Sequence, residues 1–132
     1  MKTFAVILVV SLLLAGCVAP QQRAPKTPAV ITTETPVCEG KRQCEAMWID
    51  AQAGISLATG MKIRLLTDSR IETFPPRTYG YTGAVVTKYP IGDDKYEMRI
   101  SISCYGHTDC SDERATGTNL FNLHTKAIRP AK

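Results

Sequence analysis

Residues Lys95–Tyr105 alternate strictly between apolar and polar. Tyr96, Met98, Ile100, Ile102 and Cys104 fall on one side; Glu97, Arg99, Ser101 and Ser103 fall on the other. A period of two with one apolar side predicts a strand that packs one face on a core and wets the other. A second strand is expected over Tyr79–Tyr89, joined to the first by Pro90-Ile91-Gly92-Asp93-Asp94, residue types that accept tight backbone geometry. Upstream, Ile63 and Leu65 alternate with polar neighbours, and Ile71 and Thr73 resume the pattern. This reads as one strand over Met61–Phe74, with Asp68-Ser69 as a bulge or bend. Pro75-Pro76 ends it, because proline donates nothing to a ladder.

A different period flanks these strands. Cys44, Met47, Trp48, Ala51, Ile55 and Ala58 recur at intervals of three and four, which predicts a helix over Lys41–Ala58 with Gly60 as its terminator. A second helix is expected over Asp112–Ile128. Ser111 or Asp112 can cap it, and Glu113 suits the positive end of its dipole. Its buried face is expected to carry Leu120, Leu123 and Ala127, with Phe121 and Ile128 beside them. Gly117 weakens its middle and Pro130 ends it. The order is helix, three strands, helix. A one-sided antiparallel sheet needs its apolar face covered, and two amphipathic helices can cover it. The expected fold is therefore α+β and two-layered: a three-stranded antiparallel sheet with both helices on one face (α-β-β-β-α), over residues 38–129. Residues 130–132 form a tail.

The N-terminus follows neither period. Lys2 precedes Phe4–Leu14, a stretch that is apolar apart from Ser11. It is too short for a bilayer span, which needs about 20 apolar residues, and fits the core of a signal peptide over residues 1–16. It closes on Leu14-Ala15-Gly16-Cys17, which resembles the lipobox of bacterial lipoprotein precursors. The resemblance implies cleavage before Cys17 and lipid, palmitate included, on Cys17. Two or more acyl chains hold a protein stably on a bilayer, whereas one does so marginally. Val18, where the enterobacterial sorting pattern places Asp for inner-membrane retention, implies the outer membrane. The domain would then face the periplasm or the cell surface. Residues 17–37 carry Pro20, Pro25, Pro28 and Pro36 among Gln, Thr and Ala, with no aromatic residue. Such a stretch buries too little apolar area to offset its ordering entropy, so it is expected to be a flexible tether.

Composition narrows the chemistry. The formal net charge is +4, with acidic and basic residues interspersed and no basic run. That describes a solvated surface and gives no reason to invoke nucleic acid. Five cysteines become an even set once Cys17 is assigned to lipid. Cys38, Cys44, Cys104 and Cys110 in an oxidising compartment read as two disulfides. Three connectivities exist. Local bridges would each contribute about 2.4 kcal/mol on the chain-entropy model and crossed bridges about 4.4, so energy does not select the local pairing. The repeated C-x5-C spacing favours Cys38–Cys44 and Cys104–Cys110. A four-cysteine zinc site usually wants shorter gaps and a reducing compartment.

A Cys104–Cys110 bridge would present Tyr105, Gly106, His107, Thr108 and Asp109 as a rigid projection, and a rigid loop binds at lower entropic cost. The loop is similar to the disulfide-closed Cys-Lys-Pro-His-Asp-Cys loop of the periplasmic lysozyme inhibitor family. The similarity implies that His107 would enter the catalytic carboxylates of a lysozyme. Thr108, between His107 and Asp109, departs from the family loop. Tyr105, His107 and Asp109 are thus the candidate binding residues. His124 falls on the second helix, and Ser101 and Ser103 on a polar strand face; no catalytic set, metal site or cofactor motif emerges. Tyr79, Tyr81 and Tyr89 share one strand face if that strand is unbroken, and are expected to pack in the core. The general layout resembles small, cysteine-paired bacterial envelope lipoproteins. The expected function is a non-enzymatic binding or structural module. Its partners would be the membrane through lipid and an envelope protein, a glycan or a lysozyme, with lysozyme inhibition through His107 as the alternative and a hydrolase using His107 and Asp109 as a third reading.

Overall fold

A computed structural model describes residues 26–106 and 109–126. The elements in chain order are β1 (Val37–Glu39), α1 (Lys41–Thr59), β2 (Ile63–Leu66), β3 (Arg70–Thr73), β4 (Thr82–Gly92), β5 (Lys95–Cys104) and α2 (Ser111–Lys126). The strands form one antiparallel sheet in the order β1-β5-β4-β3-β2. Both helices pack on the same face of it and against each other.

The expected three-stranded sheet is therefore corrected to five strands, for two local reasons. The stretch Met61–Phe74 is two strands. At Asp68-Ser69 the chain reverses in a tight hairpin: the Thr67 N–H donates to the Arg70 carbonyl, and Thr67 Oγ1 accepts from the Ser69 and Arg70 amides. Threonine that satisfies turn amides stabilises a reversal, where a bulge would only bend the strand. The fifth strand, β1, is too short to carry a period. It is held by pairing Cys38 with Tyr96 on β5, by the Cys38–Cys44 disulfide, and by the Met98 N–H donating to the Pro36 carbonyl.

Helix α1 follows its sequence pattern. Cys44, Met47, Trp48, Ala51 and Ile55 are buried, and Gly60 adopts the left-handed conformation at the C-terminus with its N–H on the Ser56 carbonyl. At the other end Gln43 accepts the Glu39 N–H, and the disulfide ties β1 to the first turn. The long strands β4 and β5 pair from Thr82↔Cys104 to Gly92↔Lys95, so Ala84, Val86, Ile100, Ile102 and Met98 share the covered face. With Ile71, Ile55, Trp48 and Phe121 they form the core.

Helix α2 departs from the expected face. Ala115, Gly117, Phe121, Asn122 and Thr125 are buried, while Leu120 and Leu123 are exposed. Ala127 and Ile128 lie outside the described residues. Gly117 has a packing role: an added Cβ would stand 2.5 Å from Ile102 Cδ1 and 3.2 Å from the Ala58 carbonyl oxygen. No side chain fits at position 117, and the helix lies with Phe121 inward and its leucines outward. The small face sets how closely α1, α2 and β5 approach.

Candidate functional site

The domain has two ends, and the chain path distinguishes them. At one end lie the C-terminus of α1, the start of β4, the end of β5 and the start of α2. At the other lie β1, the β2–β3 turn and the β4–β5 turn.

The second half of the segment expected to tether the domain is an extended strap on α2. Asn119 is its clamp. Its Oδ1 accepts from the Thr32 and Thr33 amides at 2.9 and 3.2 Å and from Thr33 Oγ1 at 2.9 Å. Its Nδ2 donates to the Val30 carbonyl at 2.8 Å. Asn122 Nδ2 donates to Thr33 Oγ1, and the Ala29 N–H donates to Asp112 Oδ1. Ion pairs close both ends: Lys26 with Asp112 in the first turn of α2, and Glu34 with Lys126 in the last. Both carboxyls sit below the ordinary carboxylate range. For Asp112 the chief cause is the Ala29 amide, then Lys26; for Glu34 it is Lys126. One asparagine thus satisfies backbone groups of Val30, Thr32 and Thr33. Asn119→Ala should release the strap and lower stability by about 0.5–1.5 kcal/mol, the net contribution of a typical hydrogen bond, because the Thr32 and Val30 bonds are exposed and their groups rehydrate. Hydrogen exchange should then accelerate at Ala29, Thr32 and Thr33 while β4 and β5 amides stay protected; unchanged strap exchange would contradict the clamp.

The Cys104–Cys110 disulfide closes the candidate loop with its Cα atoms 6.3 Å apart. Tyr105 is exposed, and its N–H donates to the Tyr81 carbonyl at 3.3 Å. Gly106 has φ +81° and lies under the Tyr79 ring, where an added Cβ would come within 2.6 Å of Cδ2. Glycine there meets both the positive φ and the ring contact. Asp109 Oδ1 accepts the Ser111 N–H at 3.0 Å, so this carboxylate caps the start of α2. His107 and Thr108 lie outside the described residues, as does Cys17. The loop's described flanks therefore brace a helix and a tyrosine.

The tyrosines reverse their expected role. Tyr79 and Tyr81 precede β4 and are 69% and 56% exposed, and Tyr89 is also exposed. Gly80, with φ +84°, breaks the chain out of the strand between the first two. Tyr79, Tyr81 and Tyr105 gather with Phe74 at the end where α2 begins. Beside them Pro76 packs on Gly83, and Met61, Phe74, Pro75, Pro76, Arg77 and Tyr81 line a cleft of about 290 Å³. Tyr89 stands apart on the uncovered sheet face, where the Arg99 guanidinium lies 3.8 Å from its ring centroid and also pairs with Glu97. On the same face Glu72 is held between Arg64 and Arg70. Ser101 and Ser103 are exposed there, and His124 is half-buried on α2. No group of three or more potential metal ligands occurs among the described residues.

No protein-family model, curated protein or solved structure matches this chain significantly. The strap and the aromatic end were not anticipated from the sequence. Asn119 and Asn122, three apart on a helix and poor helix formers, were the available signal for the strap.

Proposed function

We propose that this chain is a bacterial lipoprotein, cleaved before Cys17 and acylated on it, whose domain is a non-enzymatic binding module on the outer membrane. The observation that supports the reading is the use of the cysteines. Cys38, Cys44, Cys104 and Cys110 are consumed in two disulfides, which leaves Cys17 at the lipobox position as the remaining thiol. Disulfides in so small a domain suit an exported protein. None of the helices among the described residues is long and apolar enough to cross a membrane, so on this reading the lipid supplies the attachment. The module's outer helical layer offers contact surface: Leu57 and Leu123 are more than half exposed, with Val30 and Ile31 of the strap also exposed. Exposed apolar side chains of this size are available for contact with a partner.

Fractionation of cells producing the full chain tests this reading. The wild type should float with outer membranes and incorporate a labelled palmitate analogue. Cys17→Ser should abolish the label and leave the protein uncleaved or unanchored. Label retained in Cys17→Ser, or an unlabelled wild type in the soluble fraction, would contradict it. A photoreactive residue at Leu123 should give one dominant adduct in intact cells. Adducts no more defined than those from exposed Glu45 would remove the binding role of the helical layer.

A further inference from the structure

We propose that the aromatic end of the domain, with Phe74, Tyr79, Tyr81 and Tyr105, docks on the headgroup layer of the membrane that holds the chain. The proposal rests on acylation of Cys17 as given above.

The strap fixes the direction. Its first described residue, Lys26, pairs with Asp112 at the start of α2, and Glu34 pairs with Lys126 at the helix's far end. The chain therefore enters the domain at the end where α2 begins. Lys26, Asp112 and Tyr81 line one cleft there, which puts the entry point beside the tyrosines. Cys17 and Lys26 are nine residues apart. Fully extended, that chain spans at most about 32 Å. A helix of 16 residues is about 24 Å long, so the opposite end of α2 stands that much further from the entry point. A lipid on Cys17 is therefore attached closer to the aromatic end than to the β1 end by about the length of α2, which favours contact of the aromatic end with the bilayer.

The chemistry of that end matches its position. The four rings are each about half exposed or more. Tyrosine combines an apolar ring with a hydroxyl that stays wet, the combination found at the headgroup level of membranes. Lys62 and Arg77 are exposed on the same end and can pair with lipid phosphates. Asp109 and Glu113 offset them, so the rings supply the contact and net charge does not. The disulfide, Gly106 under Tyr79, and the Tyr105–Tyr81 backbone bond preset the ring positions, so little ordering entropy is lost on contact.

The protein's own Trp48 makes the test specific. It is the chain's single tryptophan, is buried, and donates through Nε1 to the Thr67 carbonyl in the β2–β3 turn at the other end. The acylated full-length chain would be reconstituted in phosphatidylethanolamine–phosphatidylglycerol vesicles carrying a headgroup-level nitroxide lipid. In Tyr81→Trp and Tyr105→Trp, most of the added emission should be quenched, while the emission of the wild type, which reports Trp48, should be nearly unaffected. High salt should leave the quenching in place. Added emission that stays unquenched in protein floating with the vesicles would overturn the docking and leave the anchor standing. A chain that carries no acyl group and does not float would overturn both. Emission that responds to purified peptidoglycan, and not to the nitroxide lipid, would overturn the proposal in favour of a glycan contact.

Discussion

Phe121→Ala should lower the unfolding free energy by about 3–5 kcal/mol, the range for truncating a buried aromatic side chain. Phe121 is completely buried, belongs to the main core cluster, and faces Gly54 of α1, where an added Cβ would stand 3.1 Å from its ring. The α1–α2 contact is built around that ring, and small residues line the approach, so the site cannot collapse to fill the void. For a domain of about 100 residues each kcal/mol shifts the melting temperature by about 4–8 °C, so the midpoint should fall by at least about 12 °C. Leu123→Ala is the informative control. Leu123 is 61% exposed, and its truncation should change stability by no more than about 0.5 kcal/mol. The two thermal melts decide which side of α2 faces the core. A large loss for Leu123→Ala would restore Leu123 to the buried face read from the sequence, and a small loss for Phe121→Ala would contradict the packing described here.

The double substitution Cys38→Ser/Cys44→Ser should cost about 2.4 kcal/mol through released chain entropy. Both sulfurs are buried, so two serine hydroxyls in their place would add to that loss. The loss should also be local. β1 has three residues, forms the edge of the sheet, and is tied to α1 by this bridge. So short an edge strand has little stability of its own. Hydrogen exchange should show Glu39 and Gly40 losing protection, along with the Met98 amide that donates to the Pro36 carbonyl. The β4–β5 ladder should keep its protection up to global unfolding. Unchanged protection at β1 would show that the pairing Cys38↔Tyr96 holds the strand without the disulfide.

The elements that were legible in the sequence are those whose burial is one-sided and long enough to repeat. β5 alternates over its whole length, and α1 carries its apolar stripe through about four turns, so pattern and packing agree. Local cysteine pairing was legible from the repeated spacing, although energy alone did not favour it. Other features were not legible, most of them because a non-local contact overrides composition. β1 exists through its partner strand and its bridge. The face of α2 is set by small residues, Gly54 and Gly117, that admit a close helix approach, so hydrophobic residues on α2 count for less than the space opposite them. The strap is polar and proline-bearing, the composition of a flexible tether, yet Asn119 and Asn122 satisfy its backbone. Tyr79 and Tyr81 mimic a strand by their spacing, and Gly80 between them takes the chain off the strand path. The candidate loop was legible as a closed loop. Its described part, however, braces Tyr79 and the start of α2, which spacing alone does not reveal.

The central claim assigns five cysteines to two tasks: one to lipid and four to the fold. Mass spectrometry of the protein extracted from native membranes and digested without reduction tests it most directly. The account predicts an N-terminal peptide that begins at acylated Cys17, together with linked peptides joining Cys38 to Cys44 and Cys104 to Cys110. A chain that retains residues 1–16, or a Cys17 that carries no acyl group, would contradict it.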